Sequence, residues 1–207
     1  IAASKPIAVF NGGIKSAIPA GDYSGDHLFE QNIPITAWGK HFIAMEMGGF
    51  PNTEYITASF PTQYVLTAIY DNTIVKLNGV TLCTLNAGQS TPYNQVSGLH
   101  YNSVISVDYN ETPKLIETSQ PVLVNAFTTN ANVNNYDGDL FSEASMALIP
   151  DVQAGVNRAV LYTPNDQMTL HYANVIVPET AVSGMQLNGT DVSTQFTTLG
   201  STFDGQT

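Results

Sequence analysis

The chain has 207 residues, 43% hydrophobic and 11% charged, with 17 acidic and 6 basic side chains giving a formal net charge of −11. That composition suffices for one large core or two small ones and excludes a disordered chain. The cations Lys5, Lys15, Lys40, Lys76, Lys114 and Arg158 are scattered, which excludes nucleic acid and anionic membranes, since both require clustered positive charge.

Ser4 to Phe10 reads as a strand entered through Pro6, a residue tolerated at strand starts. Asn11-Gly12-Gly13 is expected to break it, and residues 11–25 to form a loop. Between His27 and Met47 the apolar run is cut by Pro34 and Gly39, so an extended segment, a turn and a strand are expected rather than a helix. Glu54–Phe60 and Tyr64–Tyr70 are rich in β-branched and aromatic residues and read as strands. Asn72–Leu77 leads through Asn78-Gly79 into Val80–Leu85, and Asn-Gly between alternating strands is a strong hairpin signal because both turn residues accept positive φ. Val104–Tyr109, Lys114–Glu117 and Ser119–Phe127 are further strands, and residues 128–140 a polar loop. Ser142–Ile149 is the one stretch read as a short helix. Val156–Thr163 and Ala173–Val177 are expected strands, and Gly184–Val192 is a second Asn-Gly hairpin.

The chain repeats its own landmarks in order. Ser4-Lys5-Pro6-Ile7-Ala8-Val9-Phe10 returns as Ser119-Gln120-Pro121-Val122-Leu123-Val124-Asn125-Ala126-Phe127, Ile33-Pro34 as Ile149-Pro150, and Leu77-Asn78-Gly79 as Leu187-Asn188-Gly189. Landmarks returning in one order, at offsets that drift between 110 and 116 residues, point to a duplicated unit. The expected fold is all-β, two tandem antiparallel β-sandwich modules over 1–118 and 119–207, the second an incomplete copy. A sandwich short of strands has open edges that another chain can complete.

The single cysteine, Cys83, excludes an internal disulfide and reads as a small buried hydrophobe. No apolar run reaches the ~18 residues of a membrane-spanning helix, and Ile1-Ala2-Ala3 does not read as a signal peptide. Low charge with abundant Thr, Asn, Ser and Gly suits an extracellular or cell-surface β protein. Asn110-Glu111-Thr112 and Asn188-Gly189-Thr190 are glycosylation sequons at Asn110 and Asn188.

Asp26, His27 and Glu30 bring two carboxylates and an imidazole together, and Lys40-His41 follows. No G-x-S-x-G frame or equivalent accompanies them, so hydrogen-bonding roles in a buried setting are expected in place of catalysis. His100 and His171 stand alone without metal-ligand spacing. Asn134-Asn135-Tyr136-Asp137-Gly138-Asp139 sets oxygen ligands about a glycine turn and offers Asp137 and Asp139 as a candidate Ca²⁺ site, with Asp22, Asp26 and Asp71 as further carboxylates. Apart from that Ca²⁺ no cofactor is expected. Loop aromatics Tyr23, Phe50, Tyr93 and Tyr136 are candidates for stacking on sugar rings, and Tyr23, Asp26, His27 and Tyr136 mark the expected binding loops.

Ser4-Lys5-Pro6-Ile7-Ala8-Val9-Phe10, Asp26-His27-Leu28-Phe29-Glu30-Gln31 and Trp38-Gly39-Lys40 together resemble the N-terminal region of the IgGFc-binding protein family, with its S-x-P-V-x-V-F, D-H-L-x-E-Q and W-G-K motifs. Asp71-Asn72-Thr73, Leu85-Asn86-Ala87-Gly88, Ala147-Leu148-Ile149-Pro150 and His171-Tyr172 fit the same pattern. Family members tend to carry cysteines before D-H-L, and residues 11–25 here contain none. The resemblance implies a non-catalytic extracellular module, and the expected activity is adhesion or surface recognition of a protein or glycan through the loops. The alternative is a structural subunit of a filament, sheath or matrix, whose partners are copies of itself.

Overall fold

A computed structural model describes residues 1, 3–18, 25–47, 61–97, 100–108, 111–129, 131–132, 141–142, 144–161, 173–199 and 203. The strands are β1 (Phe10–Ser16), β2 (Asp26–Gln31), β3 (Gly39–Ala44), β4 (Thr62–Ala68), β5 (Thr73–Leu77), β6 (Val80–Leu85), β7 (Tyr93–Ser97), β8 (His100–Ser103), β9 (Ile105–Val107), β10 (Lys114–Thr128), β11 (Ala131–Asn132), β12 (Phe141–Ser142), β13 (Ser145–Leu148), β14 (Gln186–Leu187) and β15 (Thr190–Asp191). The fold is all-β and antiparallel, as expected. Among the described residues, helix is confined to short 3₁₀ turns.

The 15-residue β10 organises the main sheet. Its first half lies between β3 and β5, with Ile116 opposite both Phe42 and Leu77. Its second half lies between β4 and β13, with Asn125 opposite both Val65 and Leu148. The change of partners falls at Ser119-Gln120-Pro121, where the β3 register shifts between Glu117 and Val122. Proline has no N–H to donate, and a register irregularity is where a central strand tolerates one. Beyond these, β6 pairs with β5 and β9 with β4, completing seven strands.

Alternation along β10 then fixes the core. Ile116, Val122, Val124 and Ala126 point to one side and join Phe42, Ala44, Tyr64, Leu66, Ala68, Val75, Leu85, Ile105 and Val107 in one buried cluster. Burying each large aliphatic or aromatic side chain contributes about 1.5–3 kcal/mol. On the other side Leu115 and Ile43 are covered by Phe203, with Val152 and Leu199 beside them. The Tyr64 hydroxyl is held between the Met45 N–H, 2.9 Å away, and the Met45 carbonyl. Burial pushes its pKa up to about 12.

Several local expectations are corrected. Residues 4–9 are irregular and the strand runs instead through Phe10–Ser16, so Asn11-Gly12-Gly13 lies within a strand. Ser145–Leu148 is a strand against β10, not part of a helix, because Phe127 and its neighbours offer it a free sheet edge. Residues 156–161 and 173–177 are not strands. Lys114–Glu117 and Ser119–Phe127, read as separate strands, are one, and the boundary expected between 118 and 119 falls inside it. Cys83 is half-buried, and that burial raises its thiol pKa. The expected strand at 54–60 lies outside the described residues.

Candidate binding surface

The β1–β2 hairpin forms a two-stranded sheet of its own beside the main one, in contact with β13. Gly12 lies opposite Phe29 and Gly13 opposite Leu28. A Cβ at Gly12 would collide with the Leu28 carbonyl oxygen, which is why glycine stands where a strand would ordinarily carry a side chain. Leu28 is buried, whereas its neighbour Phe29 is 66% exposed, the two pointing to opposite faces as consecutive strand residues must. Phe10, 52% exposed, stacks on Phe29 with ring centroids 5.3 Å apart and planes 9° from parallel. Ile14 on the same strand is 97% exposed. The result is an apolar, aromatic surface carried on paired strands and exposed to solvent.

Asp26 and His27 stand at the start of β2. The Asp26 carboxylate accepts the His27 N–H at 2.7 Å and lies 3.1 Å from His27 Nδ1. The backbone hydrogen bond, and next the imidazole contact, hold the Asp26 carboxyl below its ordinary range. The two side chains are 49% and 75% exposed, so the buried setting expected of them is not found. They lie on the same strand as Phe29. No acyl-transfer or glycosidic constellation is assembled around them among the described residues.

The W-G-K motif has a structural role. Trp38 Nε1 donates to the Ile33 carbonyl at 3.3 Å. Asp151 Oδ2 accepts the Lys40 and His41 N–H groups at 2.7 and 3.1 Å, and its Oδ1 accepts the Gln153 N–H at 2.7 Å. A Cβ on Gly39 would occupy the space of that carboxylate. The His41 ring meets Phe203 edge-on, with centroids 5.2 Å apart. Lys40 and His41 are therefore backbone partners of a clasp closed by Asp151.

Asp71 accepts the Ala87 N–H at 3.0 Å and so stabilises a turn. Glu46 lies near Asp108, and burial, followed by the Asp108 charge, raises its pKa. No group of three or more His, Cys, Asp or Glu that could hold a metal exists among the described residues. Tyr93 is half-exposed on β7. Asn188 occupies an exposed turn between β14 and β15. Tyr23, Phe50, Asn110, Tyr136, Asp137, Asp139 and His171 lie outside the described residues. Ile14 was not singled out from sequence, and Phe10 and Phe29 entered only through their motifs. Adjacent Leu28 and Phe29 carried a signal, because in a strand one of two neighbouring apolar residues must leave the core.

A family model described as IgGFc binding protein matches residues 1–205. Searches of curated proteins and of solved structures found no match. The family is not one of enzymes, and its proteins are typically secreted or surface-located. No helix among the described residues is long and apolar enough to cross a membrane.

Proposed function

Because the chain belongs to the IgGFc-binding protein family, we propose that it is a non-catalytic extracellular recognition module that binds a protein ligand at the β1–β2 hairpin. The observation that carries this reading is the exposed Phe10–Phe29 stack. Rigid aromatic side chains presented to solvent beside polar groups are the usual anchors of protein interfaces. Asp26 and His27 begin the second strand of the same hairpin and expose their side chains. Binding of the full chain to immobilised Fc fragment and to a glycan array tests the reading. Signal on a protein or glycan probe that disappears in the Phe10→Ser/Phe29→Ser variant supports the site, and signal unchanged in that variant refutes it. No cofactor is required. A Ca²⁺ ion at Asp137 and Asp139 would show as a rise in Tm on adding Ca²⁺ that Asp137→Asn abolishes.

A second reading, a structural subunit assembled from copies of the chain, is favoured by the stretch 155–161. It lies outside the sheets and exposes Val156, Val160 and Leu161. Light scattering over a range of concentration separates the two: a constant monomer mass excludes the subunit, and growth into ordered polymers supports it.

A further inference from the structure

We infer that Asn188 is a site of spontaneous deamidation, and that the fold protects the equivalent asparagine, Asn78, from the same reaction. Both are followed by glycine, and both occupy the same hairpin turn. The φ angles are 49° and 77° for Asn78-Gly79 and 51° and 80° for Asn188-Gly189. Backbone conformation and reacting atoms are thus matched, and what differs is the restraint on each asparagine.

The Asn78 N–H donates to the Leu115 carbonyl at 2.8 Å, and its Oδ1 accepts the Leu115 N–H at 2.8 Å. The first ties the backbone and the second the side chain to β10, and the flanking β5 is paired with β10 over Ile116–Thr118. Asn188 has no such side-chain bond among the described residues. Its hairpin consists of two residue pairs, Gln186 with Asp191 and Leu187 with Thr190, and one closing bond from the Val192 N–H to the Met185 carbonyl at 3.1 Å. All four paired residues and the turn are exposed. A short exposed ribbon opens locally at little cost, which frees the Asn188 side chain to rotate toward the next peptide nitrogen.

The chemistry needs only solvent. The Gly189 amide nitrogen, unobstructed by a side chain, attacks Asn188 Cγ. The new N–Cγ bond forms, the Cγ–Nδ2 bond breaks, and Nδ2 leaves as ammonia with the proton given up by the amide. Water then opens the cyclic imide. Cleavage of the new bond gives aspartate, and cleavage at the former main-chain carbonyl gives isoaspartate. Either product adds one negative charge to the −11 of the chain and destroys the Asn188-Gly189-Thr190 sequon, so glycosylation and deamidation exclude each other at this residue.

The test is peptide mapping by mass spectrometry of the full, unglycosylated chain held at mildly alkaline pH, with isoaspartate read by enzymatic methylation, in native buffer and in urea. In native buffer Asn188 should deamidate at least about tenfold faster than Asn78, the factor expected when the protected site must first break two hydrogen bonds. In urea the two rates should converge, and Gly189→Ala should suppress the reaction at Asn188. Equal native rates, faster reaction at Asn78, or a native ratio that persists in urea would each overturn the inference.

Discussion

At the scale of single residues, Gly39 and Asp151 show how a short motif closes a fold. One carboxylate oxygen accepts two consecutive backbone N–H groups 110 and 111 positions earlier in the chain, and the missing Cβ makes room for it. Hydrogen bonds to a charged acceptor contribute about 1.5–3 kcal/mol each. Gly39→Ala should therefore cost about 2–4 kcal/mol in urea unfolding, and Asp151→Ala a similar amount; a change within about 0.5 kcal/mol would dismiss the clasp. The W-G-K half was visible in sequence, whereas Asp151, which follows Ile149-Pro150, was not singled out. Their pairing was not legible, because nothing local links residues so far apart. Glu46 acts in the opposite sense. Its raised pKa means that the folded chain holds this proton more tightly than the unfolded chain. The associated stability is complete below the ordinary value of 4.5 and is lost as pH rises through the folded pKa. Glu46→Gln should flatten that fall in Tm above pH 4.5. Glu111, whose pKa is lowered by the Asp108 N–H and next by Lys114, contributes stability that is lost as pH falls, so the Glu46→Gln variant should keep its acid limb.

At the scale of elements, β10 decides the architecture. Its halves have different neighbours yet send Ile116 and Val124 into the same cluster. Ile116→Ala and Leu66→Ala, one on each side of the change of partners, should each cost about 2–4 kcal/mol and lower the same unfolding transition in calorimetry. Two transitions, each sensitive to only one substitution, would contradict a shared core. The two Asn-Gly hairpins were legible because the turn demands positive φ at both residues, and Asn78 and Asn188 adopt it. Strand β1 was not legible. Gly12-Gly13 is ordinarily a breaker, and only the close approach of the Leu28 carbonyl explains a glycine inside a strand. Strand β13 was misread because Ala144, Met146, Ala147 and Leu148 have good helix propensity, which pairing with β10 overrides. The strand expected to begin at Ser119 is the second half of β10, and Pro121 lies at the register shift against β3.

At the scale of the whole molecule, the all-β class was legible in the many short strands and the turn signals between them. The proposed binding surface was only half visible. Asp26 and His27 were marked, but the aromatic pair on the same hairpin depends on which face of that hairpin the body covers, which is a tertiary fact. Since that pair lies outside the core, replacing it should leave stability changed by about 1 kcal/mol or less. The most direct measurement is therefore a paired one on the full chain and its Phe10→Ser/Phe29→Ser variant: thermal unfolding, and binding to immobilised Fc fragment and to the glycan array. We expect nearly equal Tm values with at least about a tenfold loss of binding in the variant, as for truncation of two interface anchors. Binding equal to that of the unaltered chain would contradict the assignment of this hairpin as the recognition surface.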